Sequence, residues 1–280
     1  MLEEDSPAQG VDMRSEALMN RRYIDAFVPK KLRNFIRDNR KTLAPRNFFD
    51  AYILGKHLAY IIRDRSIDLV IDVGANAGQF GSMIRERTKY KGPIISFEPQ
   101  PDMYSKVVQK SHRDKNWRAY NFAIGKEETM LTLNIMRSNV FSSFLKPKEG
   151  LLSDLNAVVS TIEVPVKRLD EVIKSLDVPY KNILLKTDTQ GFDLDVLMGA
   201  EGIIKNTEAI VCEISILPIY EDSPRYEQMM KLQNELGYTL SGLYPVSLSR
   251  GQAIECDCIM VKQKPASPSD HIPYIELFTR

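Results

Sequence analysis

The chain has 280 residues, 43% of them hydrophobic and 27% charged, with a formal net charge of +1. That balance is ordinary for a globular protein in water, and no apolar run reaches the length of a membrane span. The near-zero charge gives no general pull toward nucleic acid, and the three cysteines, Cys212, Cys256 and Cys258, suit a reducing compartment rather than a disulfide scaffold.

Residues 1–15 are polar, interrupted by Pro7 and Gly10, and predict a disordered tail. The acidic start MLEEDSPAQG is not a signal peptide, so the expected location is the cytosol. Residues 16–66 predict an N-terminal helical extension broken near Pro29 and Pro45. From Arg21 to Arg46 it carries nine Lys/Arg against two Asp, with Leu32, Phe35 and Ile36 at helical spacing. Two readings stand for this stretch. One is a basic amphipathic segment resting on the inner face of an anionic membrane or on an anionic glycan. The other, preferred, is a helical cap packed on the following domain with a solvated basic face.

From Ile67 to residue 263 strands and helices alternate, which predicts a parallel sheet with helices on both faces. Strands are expected at 68–73, 93–98, 117–123, 182–188, 208–214, 238–243 and 256–262. Helices are expected at 79–88, 101–112, 192–204 and 224–236. Met130 to Met136 reads as an extra hairpin strand. Residues 137–165 read as an irregular insertion, and 216–225 and 244–255 as further irregular segments suited to setting pocket specificity. The turn-rich stretch from 264 to 280 reads as a loose tail.

Residues 68–100, DLVIDVGANAGQFGSMIRERTKYKGPIISFEPQ, have the layout strand, glycine turn, helix, strand, acid of a nucleotide-binding βαβ unit. Glu98 lies 24 residues after Gly74, the spacing at which a carboxylate accepts ribose hydroxyls. Gly74 suits a sharp turn; Gly78 suits a close ligand approach or helix packing. Asn76 replaces the middle glycine of a dinucleotide fingerprint, and the P-loop Lys-Ser/Thr is absent. The turn therefore fits a nucleoside without a pyrophosphate, S-adenosylmethionine (SAM) first.

A second dense stretch, ILLKTDTQGFDLDVLMGA at 183–200, crowds Lys186, Asp188 and Gln190 at the end of a buried strand. Asp72, Glu98, Asp188 and Glu213 each fall near a strand's C-terminal end, where ligands of open α/β sheets bind. Asp72 and Glu98 are assigned to the cofactor, Asp72 beside the methionyl moiety and Glu98 on the ribose. Asp188 is the first candidate for a base and Glu213 the second. Asp188 also reads as a cap of the helix near Phe192 or as a partner of the SAM amino group. Lys186 reads as orienting a carboxylate or sugar hydroxyl, or as an ion pair for Asp188. Asp188, Glu213 and Asp257 have the oxygens a divalent metal would need, but no spacing fixes a geometry, and no metal is assigned. Cys256 and Cys258 read as two residues on one strand face.

The motifs DVGANAGQF (72–80), SFEPQP (96–101), FAIG (122–125), SSF (142–144), VKRLDEV (166–172), LLKTDTQGFDLDVLMGA (184–200), CEIS (212–215) and ECDCIMV (255–261) occur in this order, and together they resemble the FkbM family of SAM-dependent methyltransferases. The resemblance covers residues 67–263. It implies a Rossmann-like class I methyltransferase fold, with a mostly parallel seven-stranded sheet and a terminal antiparallel hairpin. It implies cofactor contacts from Asp72, Gly74, Ala75, Asn76, Gly78, Phe80, Glu98 and Pro99, with Ala123 and Ile124 beside adenine. Ser142 and Ser143 would border the acceptor, and Gln190, where many relatives have Glu, would hold a hydroxyl or backbone group. The expected activity is O-methylation of a sugar in a glycan or glycan precursor. The alternatives are N-methylation of a peptide or natural product, and a non-catalytic SAM-binding scaffold. A homo-oligomer is compatible with all three.

Overall fold

A computed structural model describes residues 45–148, 157–249 and 251–264. Contacts divide the chain between Phe49 and Asp50, and the two sheets with the helices that cover them belong to the second unit. The expected tails and the basic stretch up to residue 44 lie outside the described residues. No helix among the described residues is long and apolar enough to cross a membrane.

Helix α1 (Pro45–Asp64) leads into β1 (Leu69–Val73), α2 (Gln79–Met83), β2 (Ile94–Phe97), α3 (Pro101–Ser111) and β3 (Trp117–Tyr120). Three strands, β4 (Ala123–Gly125), β5 (Thr129–Met136) and β6 (Val158–Arg168), form a small sheet of order β4-β6-β5. Then come α4 (Leu169–Ser175), β7 (Ile183–Thr187), α5 (Asp193–Met198), α6 (Glu201–Ile204), β8 (Thr207–Ser215), α7 (Tyr226–Glu235), β9 (Tyr238–Ser249) and β10 (Gln252–Lys262). The main sheet has seven strands in the order β3-β2-β1-β7-β8-β10-β9. The first five run parallel, and β10 is antiparallel to both its neighbours. This is the expected class I methyltransferase arrangement.

The sheet is covered on both faces because its central strands are mostly apolar and bury both sides. Leu69, Ile71 and Val73 of β1 join one core cluster with Leu185, Ile210 and residues of α4, α5 and α7. Val70, between them, joins the opposite cluster with Ile94, Leu184 and Val211. The period of two divides the strand between two cores. Leu54, Leu58, Ile61 and Ile62 of α1, at helical spacing, are buried in the second cluster. Cys256 and Cys258 both lie in the first cluster, on one face of β10.

Several expected boundaries are corrected. The segment 137–165 is not irregular to its end: Val158–Arg168 is an eleven-residue strand paired antiparallel with β5. Pro165 and a largely exposed face hide it, and a strand can hold a proline where the ladder leaves that N–H unused. The segment 244–255 is the end of a long hairpin, with Pro245 accommodated at a register shift on the edge strand β9. Helix α4 joins the list of helices. The helix expected over 79–88 turns into a π-helical segment at Ile84–Thr88. The helix expected over 192–204 breaks at Gly199, where a Cβ would stand 2.0 Å from the Gly125 carbonyl oxygen.

Candidate active site

A cavity of about 600 Å³ opens at the C-terminal ends of β1, β2, β7 and β8. The parallel register brings Asp72 beside Lys186 across β1 and β7, and the antiparallel register sets Asp257 opposite Glu213 across β10 and β8.

One end of the cavity is formed by the turn after β1. Gly74 has φ +73°, and a Cβ on it would lie 1.9 Å from the Asp188 carbonyl oxygen. Only glycine fits that approach. Asn76, at φ +47°, donates its main-chain N–H to Glu98 Oε2 at 2.6 Å, and Gln100 N donates to Glu98 Oε1 at 2.9 Å. Burial pushes the Glu98 carboxyl up to about 7, against the pull of these two amides and of Lys186. Ala123 and Ile124 of β4 and Pro99 line the same end.

Lys186 forms the floor. Its Nζ lies 3.2 Å from Asp72 Oδ1 and 3.5 Å from Asp188 Oδ2, and it donates to the carbonyls of Gly74 (2.8 Å) and Val73 (3.3 Å). Burial alone would lower its pKa, but Asp188 and Asp72 outweigh burial and hold the ammonium above the ordinary lysine value. Asp72 itself is fully buried and off the cavity wall. Its Oδ2 accepts from Ser96 Oγ at 3.1 Å, and Ser96 Oγ accepts from Trp117 Nε1 at 3.0 Å. Asp72, expected beside the methionyl moiety directly or through water, is thus engaged by Lys186 and Ser96 at the edge of the site.

The far end is acidic. Asp188, Glu213, Glu255 and Asp257 all line it. Burial, then Asp188, Glu255 and Asp257, push Glu213 well above the usual carboxylate range. Burial first, then Asp188, raises both Glu255 and Asp257 to about 7. Gln190, at φ +53°, donates from Nε2 to Asp188 Oδ1 (3.1 Å) and Glu213 Oε2 (2.5 Å). Asp188 does not cap α5, whose first turn has no side-chain cap. Among the described residues no group of three or more His, Cys, Asp or Glu side chains is arranged to hold a metal ion.

Of the residues singled out from sequence, Gly74, Ala75, Asn76, Phe80, Glu98, Pro99, Ala123, Ile124, Ser142, Lys186, Asp188, Gln190 and Glu213 line the cavity. Gly78 does not; it stands at the start of α2 with φ +74°, a left-handed conformation that favours glycine. Ser143 is also off the wall, 1% exposed, with its hydroxyl donating to the Gln190 carbonyl at 2.6 Å. Glu255, Ser247 and Val246, which fall in a segment expected to be irregular, belong to the wall. Their signal in the sequence is the acid pair Glu255 and Asp257 on alternate positions of a strand.

The Methyltransferase FkbM domain matches residues 72–240. Methyltransferase 1 of Beauveria bassiana is 24% identical over 161 residues, covering 51% of this chain and 64% of that protein. Hexuronic acid methyltransferase AglP of Haloferax volcanii is 23% identical over 172 residues, covering 60% of this chain and 65% of that one. The chain thus spans just under two thirds of the length of these two relatives. The crystal structure of an FkbM methyltransferase from Methylobacillus flagellatus KT has a TM-score of 0.45 at 14% identity, over 70% of this chain and 43% of that one. With the domain matched over more than half of its length, across the strands that carry Asp72, Glu98, Asp188 and Glu213, this chain belongs to the FkbM methyltransferase family.

Proposed function

We propose that the protein transfers the methyl group of SAM to a hydroxyl of a sugar in a glycan or glycan precursor. The observation that carries this reading is the pair Asp188 and Glu213, on adjacent strand ends and bridged by one amide, in the same cavity as Glu98. The Gly74 turn supplies the cradle for the cofactor, since a Cβ would fill it. Glu98 supplies the carboxylate for ribose: each oxygen accepts one main-chain N–H and keeps lone-pair capacity for a hydroxyl. When bound, SAM supplies a methyl group activated on a sulfonium. Asp188 and Glu213 lie two and three strands along from β2, on the order of 10–14 Å at ordinary strand spacing, which supports reading them as acceptor-side residues. Asp188 takes or orients the hydroxyl proton, with Glu213 as its partner.

The hexuronic acid named for the Haloferax relative supports a sugar acceptor. The wall of this cavity favours an uncharged sugar. Among the described residues lining the cavity Lys186 is the one cation, and its ammonium is taken by Asp72, Asp188 and two carbonyls. The four acids also suit an amine, which makes N-methylation the second reading.

The test of the base assignment is Asp188→Asn, assayed with labelled SAM and a neutral glycan fraction. The variant is expected to lose about 10²-fold or more in kcat. Its affinity for S-adenosylhomocysteine is expected to stay within about threefold, or 0.7 kcal/mol. Unchanged turnover overturns the assignment.

A further inference from the structure

We propose that Tyr220 is a positioning residue of this site: by donating to Gln190 Oε1 it sets the amide so that Nε2 faces Asp188 and Glu213. The inference rests on the reading of those two acids as the acceptor-side pair. Tyr220 belongs to none of the motifs and does not line the cavity.

The geometry leaves the hydroxyl little choice. Tyr220 is 1% exposed, and its oxygen lies 2.8 Å from both Gln190 Oε1 and the Phe141 carbonyl oxygen. Both neighbours are acceptors, so the phenol is a donor shared between them. Burial, then Glu255, Glu213 and Asp188, hold its proton far above the ordinary tyrosine range, so it stays a donor at every working pH. The other end of the amide meets two carboxylates, at 3.1 Å and 2.5 Å. One amide therefore separates two acids and gives each a donor, and its own acceptor is satisfied from behind.

The backbone on both sides is pinned. Tyr220 pairs with Pro147 in a short bridge, flanked by hydrogen bonds from Lys148 N to Ile219 O and from Glu221 N to Lys146 O. Its ring packs with Met136, Ile219, Phe141 and Leu145. The Gln190 carbonyl is held by Ser143 Oγ. The amide can thus turn about its own side chain but not move away as a unit. Removing the phenol leaves Oε1 without its protein donor and frees that rotation.

Donors to the ionised form lower a carboxyl pKa, so their loss raises it. In Tyr220→Phe, bound to S-adenosylhomocysteine, the carboxyl 13C titration of Glu213 is expected to move up by about one pH unit. The resonance is assigned by comparison with Glu213→Gln. The acid limb of kcat should move with it. A role in packing alone would lower Tm and leave that titration in place, and that result overturns the proposal. If Tyr220→Phe does not fold, the wild-type protein still decides. The Gln190 side-chain amide protons should exchange slowly and shift with the titration of Glu213, whereas a freely rotating, fast-exchanging amide overturns it. Should the wild type show this bridge and transfer no methyl group, the functional reading fails and the positioning stands.

Discussion

Lys186 carries the densest set of charges in the site. Its ammonium joins Asp72, which is fully buried, to Asp188 on the cavity wall, and it ties both to the carbonyls of the glycine turn. Removing one partner of such a pair strands the other without a counter-ion. Lys186→Met is expected to cost about 3–5 kcal/mol in a urea titration, and Asp72→Asn combined with it should recover much of that loss. If Lys186→Met is neutral, the pair is not what holds the turn to β7. Asp72 and Lys186 also mark what is legible in single residues. That both belong at strand ends follows from the apolar runs before them. That they satisfy each other, leaving Asp72 no share in the cavity, depends on the register of β1 and β7, which no local pattern specifies. Tyr220 is illegible for the same reason: its partner Gln190 is 30 residues away in the chain.

Elements are legible where burial is two-sided. The strands β1, β2 and β7 are buried throughout and mostly apolar, with Gly74 after β1 and Pro93 before β2, and their positions read directly from the chain. Strands β6 and β9 are largely exposed, and each contains a proline. Proline removes a ladder donor and therefore argues against a strand, but edge positions and bulges tolerate it. The difference has a functional consequence. An irregular 244–255 fits the pocket wall in general, but only the paired strands say that Val246, Ser247 and Glu255 line it. The small sheet has a similar role at the other end, where β4 supplies Ala123 and Ile124.

At the scale of the whole molecule, the fold gathers acids that would be cheaper apart. Glu98, Glu255 and Asp257 are raised to about 7 and Asp193 to about 6, each first by burial. The unfolded chain releases these protons near pH 4 to 4.5, so the folded state holds more protons between there and about pH 7. Stability contributed by these groups is therefore present at the acid end of that window and lost as pH rises through it. The ligand-free protein is expected to show a falling Tm from pH 5 to pH 8 in scanning calorimetry. A flat Tm over that range would mean that these carboxyls titrate as ordinary surface acids, and a rising one that the fold lowers carboxyl pKa values instead. The same electrostatics favour a ligand that brings positive charge or releases a proton.

The central claim is that a methyl group leaves a cofactor held at the Glu98 end and arrives on a sugar oxygen at the Asp188 end. The most direct measurement is incubation of the protein with SAM carrying a 13C-labelled methyl group and a neutral glycan fraction, followed by NMR of the product. The expected product is a labelled O-methyl ether on a sugar carbon. A labelled N-methyl group, or label that never leaves the cofactor across neutral, amino and carboxylated sugars, would contradict it.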